Sequence, residues 1–204
     1  MIKNLIFDFG KVLVDYDFMA LLTGYFGEDT ERLDQMCRLF LSPGFIDRCD
    51  REAVPFSEII REEQKNHPEL ADGLQFFHDR YADFVTGEVP GMKELLCRLK
   101  ANGYRLYGLT NWNSVVHEVM RRYESIFGLL DGRVISSEEH FIKPEREIYE
   151  CLCSRYGLDP SECLFADDKA VNVEGALKAG MNAVVFTDAA RYINDLETYG
   201  VKAD

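Results

Sequence analysis

Apolar positions along the chain follow two regimes. Lys3 to Asp8 holds Leu5-Ile6-Phe7 and is followed by Gly10, a short apolar run closed by a turn residue, which predicts a buried strand. From about Asp15 to Gly87 the period becomes helical. Phe18, Leu21, Leu22 and Tyr25 recur at helical spacing, as do Leu33, Met36, Cys37 and Phe40; Ile59 and Ile60 follow a cap at Ser57, and Phe77, Tyr81 and Phe84 form a further stripe. No strand is expected in this block, which reads as an all-helical insertion. From Glu88 onward strands and helices alternate. Pro90-Gly91 opens a helix carrying Met92, Leu95, Leu96 and Leu99 and closed by Asn102-Gly103. Tyr104 to Leu109 is a strand ending in Thr110-Asn111, Ser114 to Tyr123 is helical, and Arg133 to Ile135 is a brief strand. Lys143-Pro144 precedes a helix reaching Tyr156, with the proline at the favoured first-turn position. Cys163 to Ala166 is a strand ending in Asp167-Asp168, then come a helix from Val171 to Ala179, a strand from Asn182 to Phe186 and a last helix from Ile193 to Tyr199.

Such alternation predicts an α/β fold, a parallel Rossmann-like sheet with right-handed crossovers. The helical block is inserted after the first strand, so residues 1–15 and 88–204 are expected to form the core and 16–87 a cap. In open parallel sheets ligands bind beyond the carboxyl ends of the strands. Asp8, Thr110-Asn111 and Asp167-Asp168 all fall at such ends, and Lys143 lies just before a helix start, where backbone N–H groups favour an anion.

Composition narrows the partners. With 204 residues the chain suits one domain carrying a modest insertion, and 47% hydrophobic residues exclude a disordered chain. A net charge of −13 repels nucleic-acid phosphate and anionic membrane, so neither is an expected partner, whereas a small anionic substrate needs only a local lysine or cation. The N-terminus is too soon charged for a signal peptide, and no run approaches the roughly 18 apolar residues of a membrane span, so a cytoplasmic protein is expected. The six cysteines are then expected to stay reduced; Cys151 and Cys153, two apart on a helix, point to different sides and do not chelate one ion. The four histidines show no metal spacing, and Arg121-Arg122 reads as a solvated helix face.

Taken singly, each candidate has a bland reading: Asp8 a polar strand end, Thr110-Asn111 a turn, Lys143 a surface lysine. Asp167-Asp168 reads as a helix cap, although adjacent carboxylates at a strand end repel, a repulsion most naturally relieved by a hard cation such as Mg²⁺. Together and in this order, Ile6-Phe7-Asp8-Phe9-Gly10-Lys11-Val12-Leu13, Leu109-Thr110-Asn111, Lys143-Pro144 and Phe165-Ala166-Asp167-Asp168 resemble the four motifs of the haloacid dehalogenase-like (HAD) superfamily. The resemblance spans nearly the whole chain and places the helical block in the slot of that family's small cap.

The resemblance implies a Mg²⁺-dependent phosphatase of small phosphorylated metabolites. Asp8 would attack phosphorus to form an aspartyl-phosphate, Thr110 and Lys143 would hold phosphoryl oxygens, and Asn111 would orient Asp8 or phosphate. The metal would be held by Asp8, the Gly10 carbonyl, Asp168 and, directly or through water, Asp167. Trp112 and Asn113 would line the entrance. One departure stands out: the family's usual second aspartate, two residues after the nucleophile, is Gly10 here. That carboxylate serves as general acid/base, so its absence implies a slow enzyme, an acid relocated to Asp15 or Asp17, or a lost activity that leaves a binding or regulatory protein. The segment is similar to a bacterial branch with glycine at this place, which includes a phosphatase of glucose 1-phosphate, so a hexose 1-phosphate is the expected kind of substrate. A haloacid dehalogenase is disfavoured by the acidic pair and a phosphomutase by Gly10. Neither a monomer nor a homodimer is favoured.

Overall fold

The computed structural model describes residues 1–42 and 44–203; Pro43 and Asp204, at positions assigned to the cap and the core, lie outside the described residues. The chain begins with β1 (Asn4–Phe7) and β2 (Val14–Tyr16). The inserted block follows as α1 (Phe18–Phe26), α2 (Thr30–Leu41), α3 (Phe45–Arg51), α4 (Phe56–Asn66) and α5 (Ala71–Asp79), and the chain returns through β3 (Val85–Glu88). Next come α6 (Met92–Ala101), β4 (Arg105–Thr110), α7 (Val116–Arg122), α8 (Glu124–Phe127), β5 (Gly132–Ile135) and α9 (Ser136–Glu139). The last elements are α10 (Arg146–Tyr156), β6 (Cys163–Asp167), α11 (Ala170–Lys178), β7 (Asn182–Val185) and α12 (Ala189–Thr198).

Five strands form a parallel sheet in the order β5-β4-β1-β6-β7. β1 lies between β4 and β6, which is why Leu5, Ile6 and Phe7 are fully buried without polar alternation. Alternate residues feed opposite faces. Leu5, Phe7, Leu106 and Leu164 pack with Leu95, Leu99, Val119 and Leu196 on one side, whereas Ile6, Leu109 and Phe165 pack with Ile148, Leu152 and Ala176 on the other. The result is a sheet covered by helices on both faces, with Asp8, Thr110 and Asp167 at its carboxyl edge. No helix among the described residues is long and apolar enough to cross a membrane.

The cap differs from the expected all-helical block. β2 pairs antiparallel with β3, Asp15 opposite Gly87 and Tyr16 opposite Val85, so the expected boundaries at 15/16 and 87/88 fall inside a two-stranded ribbon. Three- and four-residue strands are too short to show alternation, so the sequence pattern hides them. The proposed cap at Ser57 also fails: α4 starts one residue earlier, and the Phe56 N–H donates to Glu52 Oε1. Pro144 is not in the first turn of α10, because Glu145 is the N-cap; the Lys143–Pro144 peptide is cis. Aromatic rings bind the cap together, with Phe18 and Phe84 centroids 4.2 Å apart and Phe40 and Phe77 4.5 Å apart.

The end of α3, a helix the sequence pattern did not resolve, is fastened to the core. Arg51 makes a two-pronged ion pair with Glu145 (2.6 and 3.0 Å) and donates to the His140 carbonyl (2.9 Å). Ser136 Oγ donates to the Asp50 carbonyl at 2.6 Å, and Glu52 accepts from the Ser114 N–H and hydroxyl at 2.6 and 2.9 Å.

Candidate active site

Asp8 ends β1, and its N–H is tied to the Ala166 carbonyl of β6 at 3.0 Å, which sets it beside the end of that strand. Lys143 Nζ bridges the two strand ends, 2.9 Å from Asp8 Oδ1 and 2.6 Å from Asp167 Oδ2, and donates to the Leu109 carbonyl at 3.0 Å. All three side chains are buried, so this is an ion triad rather than a surface contact. Asp167 is saturated further by Asn172 Nδ2 (3.1 and 3.0 Å) and by the Lys169 N–H (2.8 Å).

Burial pushes the Asp8 carboxyl up to about 6; the Lys143 charge opposes this and Asp167 adds to it. Burial alone would lower Lys143, but Asp8 and Asp167 hold it above its ordinary value. Asp168 is also raised, by burial and then by Asp167. Carboxylate oxygens of Asp8, Asp167 and Asp168 lie within 4.8 Å of one another. Three carboxylates around one point, with one lysine among them, leave excess negative charge that a hard divalent cation relieves, so the donor set fits such an ion. Asp168, whose carboxylate is met by its own backbone N–H rather than by a neighbouring side chain, is the freer ligand, whereas Asp167 is held by its neighbours.

Of the expected phosphate contacts, Thr110 is the best supported. Its Oγ1 is buried and has no hydrogen-bond partner among the described residues, which leaves it available to a ligand oxygen. Asn111 takes a different part from the one expected. Its Oδ1 accepts from the Lys143 N–H (2.7 Å) and its Nδ2 donates to the Lys143 carbonyl (3.0 Å), so the amide positions Lys143. Trp112 lines the cavity, with its Nε1 unpaired among the described residues. Asn113 does not line it: buried below, it accepts from the Val115 N–H (3.1 Å) in the turn before α7.

Both relocated-acid candidates point elsewhere. Asp15 is ion-paired to Lys11, held below its ordinary value by that contact, and does not line the cavity. Asp17 caps α1, accepting from the Ala20 N–H at 2.9 Å. The place of the missing aspartate is occupied by an aromatic ring: a Cβ on Gly10 would lie 2.8 Å from Tyr16 Cε1. Tyr16 packs against Phe18 and Trp112 and cannot move aside freely. A carboxylate that sequence reasoning missed does line the cavity, Asp50 of α3. It sits in the charged run Asp47-Arg48-Cys49-Asp50-Arg51-Glu52, which reads as a solvated face, and α3 is too short to show periodicity.

The triad opens into a cavity of about 300 Å³ between core and cap, lined by Asp8, Gly10, Thr110, Asn111, Lys143 and Asp168 at the polar end. Flavin mononucleotide hydrolase 1 of Arabidopsis thaliana is 28% identical over 114 residues, covering 54% of this chain and 45% of that protein. The chain thus spans about half the length of several curated relatives it matches. The glyceraldehyde 3-phosphate phosphatase of Pyrococcus abyssi is 27% identical over 205 residues, 91% of this chain and 82% of that protein. A HAD family enzyme of Bacteroides thetaiotaomicron, solved with magnesium and inorganic phosphate, has the same fold, with a TM-score of 0.73 at 20% identity over 93% of this chain and 96% of that one. Residues 2–180 match the haloacid dehalogenase-like hydrolase family, and the chain belongs to it.

Proposed function

We propose that the protein is a Mg²⁺-dependent phosphatase that hydrolyses monophosphate esters of small metabolites through an aspartyl-phosphate on Asp8. The observation that carries this reading is the Asp8–Lys143–Asp167 triad beside Asp168, with the Thr110 hydroxyl, unpartnered among the described residues, lining the same polar end. Dehalogenation needs no cation, and three clustered carboxylates would burden it with repulsion for no return. Asp8, Asp168 and, through its remaining lone pairs or water, Asp167 would hold Mg²⁺ beside Gly10. The ion supplies charge neutralisation that lets an anionic ester approach an anionic nucleophile. Asp8 then attacks phosphorus, while Lys143 and Thr110 hold the phosphoryl oxygens and Lys143 offsets charge as it builds. The relatives named as a flavin mononucleotide hydrolase and a glyceraldehyde phosphate phosphatase support phosphate esters as the substrate class.

Much of the remaining lining is apolar, made by Phe18, Met19, Phe40, Leu41, Ile46 and Phe84, with Asp50, Tyr16 and Tyr81 as the polar groups among them. For a hexose 1-phosphate, the kind of substrate expected from sequence, each ring hydroxyl set against these carbons without a partner would cost about 1–3 kcal/mol. The lining favours esters whose organic part has an apolar face. Phosphate release from a panel spanning glucose 1-phosphate, glyceraldehyde 3-phosphate, aryl and alkyl phosphates, with Mg²⁺ or EDTA and in Asp8→Asn, tests the reading. Turnover that needs Mg²⁺ and vanishes in Asp8→Asn is the expected result; turnover surviving either change refutes it.

A further inference from the structure

We propose that Asp50, on the cap helix α3, is the general acid and base of this enzyme, taking the place left by Gly10. This rests on the phosphoryl-transfer reading above. Three observations converge on it. Asp50 lines the same cavity as Asp8, Gly10 and Asp168, and its carboxylate makes no hydrogen bond or ion pair among the described residues, which leaves it available to what the cavity receives. Its backbone is fixed to the core: Ser136 Oγ donates to its carbonyl, and the neighbouring Arg51 and Glu52 are anchored on Glu145 and Ser114. Ser136 also accepts from the Trp112 N–H at 2.9 Å, so the position of Asp50 is referenced to the loop that follows Thr110. A cap residue held this way has the fixed placement that proton transfer requires.

The competing group is Tyr16, which fills the Gly10 space and also lines the cavity. Burial, then the carboxylates of Asp168, Asp8 and Asp50, push its phenol far upward, making it a poor proton donor at neutral pH. Asp50 is raised to about 7 by burial, with Lys169 and Lys143 opposing and Asp47 and Asp8 adding to the rise. A carboxyl near neutrality both gives and takes a proton at the working pH.

The chemistry balances. Asp8 attacks phosphorus, the bond from phosphorus to the ester oxygen breaks, and that oxygen takes the proton of Asp50 to leave as a neutral alcohol. Water then attacks the aspartyl-phosphate, its proton passes to the Asp50 carboxylate, and the bond from phosphorus to Asp8 breaks. Phosphate departs with both carboxyls restored.

Leaving-group dependence separates this role from a structural one. With Mg²⁺, p-nitrophenyl phosphate leaves without a proton, whereas an alkyl phosphate such as hexyl phosphate requires one. Asp50→Asn should lose about 10²–10⁴-fold in the first-turnover rate on hexyl phosphate and less than about tenfold on p-nitrophenyl phosphate. Rapid mixing should show a burst of p-nitrophenolate, near one per site, followed by slow turnover as the aspartyl-phosphate waits for its base. Asp50→Glu, which keeps the carboxyl, should recover part of the hexyl phosphate rate. The burst also reports that the variant is folded. Equal loss on both esters, or loss on neither, overturns the assignment while wild-type turnover leaves the phosphatase reading standing. Wild-type protein inert towards both esters refutes the phosphatase reading, and Asp50 falls with it.

Discussion

Replacing Lys143 by methionine removes the one cation inside the buried triad while keeping most of the side-chain volume. In the wild type Lys143 sits 2.9 Å from Asp8 and 2.6 Å from Asp167 with almost no exposure. Deleting one partner of a buried pair costs about 3–5 kcal/mol because the other charge is left without compensation. The cost must depend on pH, and its sign follows from Asp8. Asp8 is already raised to about 6, so the stability its protonation confers is present at low pH and is lost as pH rises through about 6. Without Lys143, whose charge is the main influence lowering it, Asp8 rises further and the loss continues to higher pH. Asp167 is less affected, since Asn172 and the Lys169 N–H still serve it. Below pH 6 wild type and variant both carry a protonated Asp8 and should differ by only about 1 kcal/mol. At pH 8 the gap should open to the full 3–5 kcal/mol, roughly 10 °C in Tm. Urea denaturation in EDTA at pH 5 and pH 8 reads both. Added Mg²⁺ should narrow the pH 8 gap, because a divalent ion replaces the missing charge. An identical loss at the two pH values would refute the electrostatic account and make Lys143 a packing residue.

Other outcomes follow from single contacts. Thr110→Val removes a buried hydroxyl that has no partner among the described residues, so Tm should hold or rise while kcat/KM falls about 10²-fold, as steady-state kinetics would show. Gly10→Asp should destabilise by about 1–3 kcal/mol and fail to improve turnover, because its Cβ meets the Tyr16 ring; Tyr16→Ala should cost less stability in the Gly10→Asp background than in the wild type, as the same urea titration would show. Asp50→Asn should be more stable than wild type at pH 8, by up to about 4 kcal/mol, and equal to it near pH 4, since a carboxyl raised to about 7 loses its stabilising proton between those limits; the reverse order would show that Asp50 is ionised and favourably paired. Phe40→Ser should lower kcat/KM for aryl phosphates more than for glyceraldehyde 3-phosphate, as substrate profiling would reveal.

The core was legible because its signals are local. A strand buried on both faces must be a continuous apolar run, and the polar residue after each run must fall at the sheet edge, so Asp8, Thr110 and Asp167 were placed by pattern and brought together by topology. The cap was less so. Its β2–β3 ribbon pairs residues some seventy positions apart, and no local period encodes such a partner. Asn111 and Asn113 illustrate the same limit: neighbours in sequence and alike in chemistry, one clamps Lys143 and the other closes a turn, a difference set by contacts. Asp50 was hidden because a seven-residue helix with alternating charges looks like solvated surface until its packing is seen.

Fastening α3 to the core splits the cap into two parts with different freedoms. Swinging the whole cap on the β2–β3 ribbon would break the Arg51–Glu145 pair and the Ser114–Glu52 and Ser136–Asp50 bonds together, so ligand exchange is cheaper by displacing α1 and the end of α2, whose Phe18, Met19, Phe40 and Leu41 have no such anchors among the described residues. Mutations in that outer half can therefore alter the size and shape of the accepted ester while the proton-handling groups keep their places. Laboratory selection for new substrates should therefore concentrate its changes in α1 and α2 and spare α3.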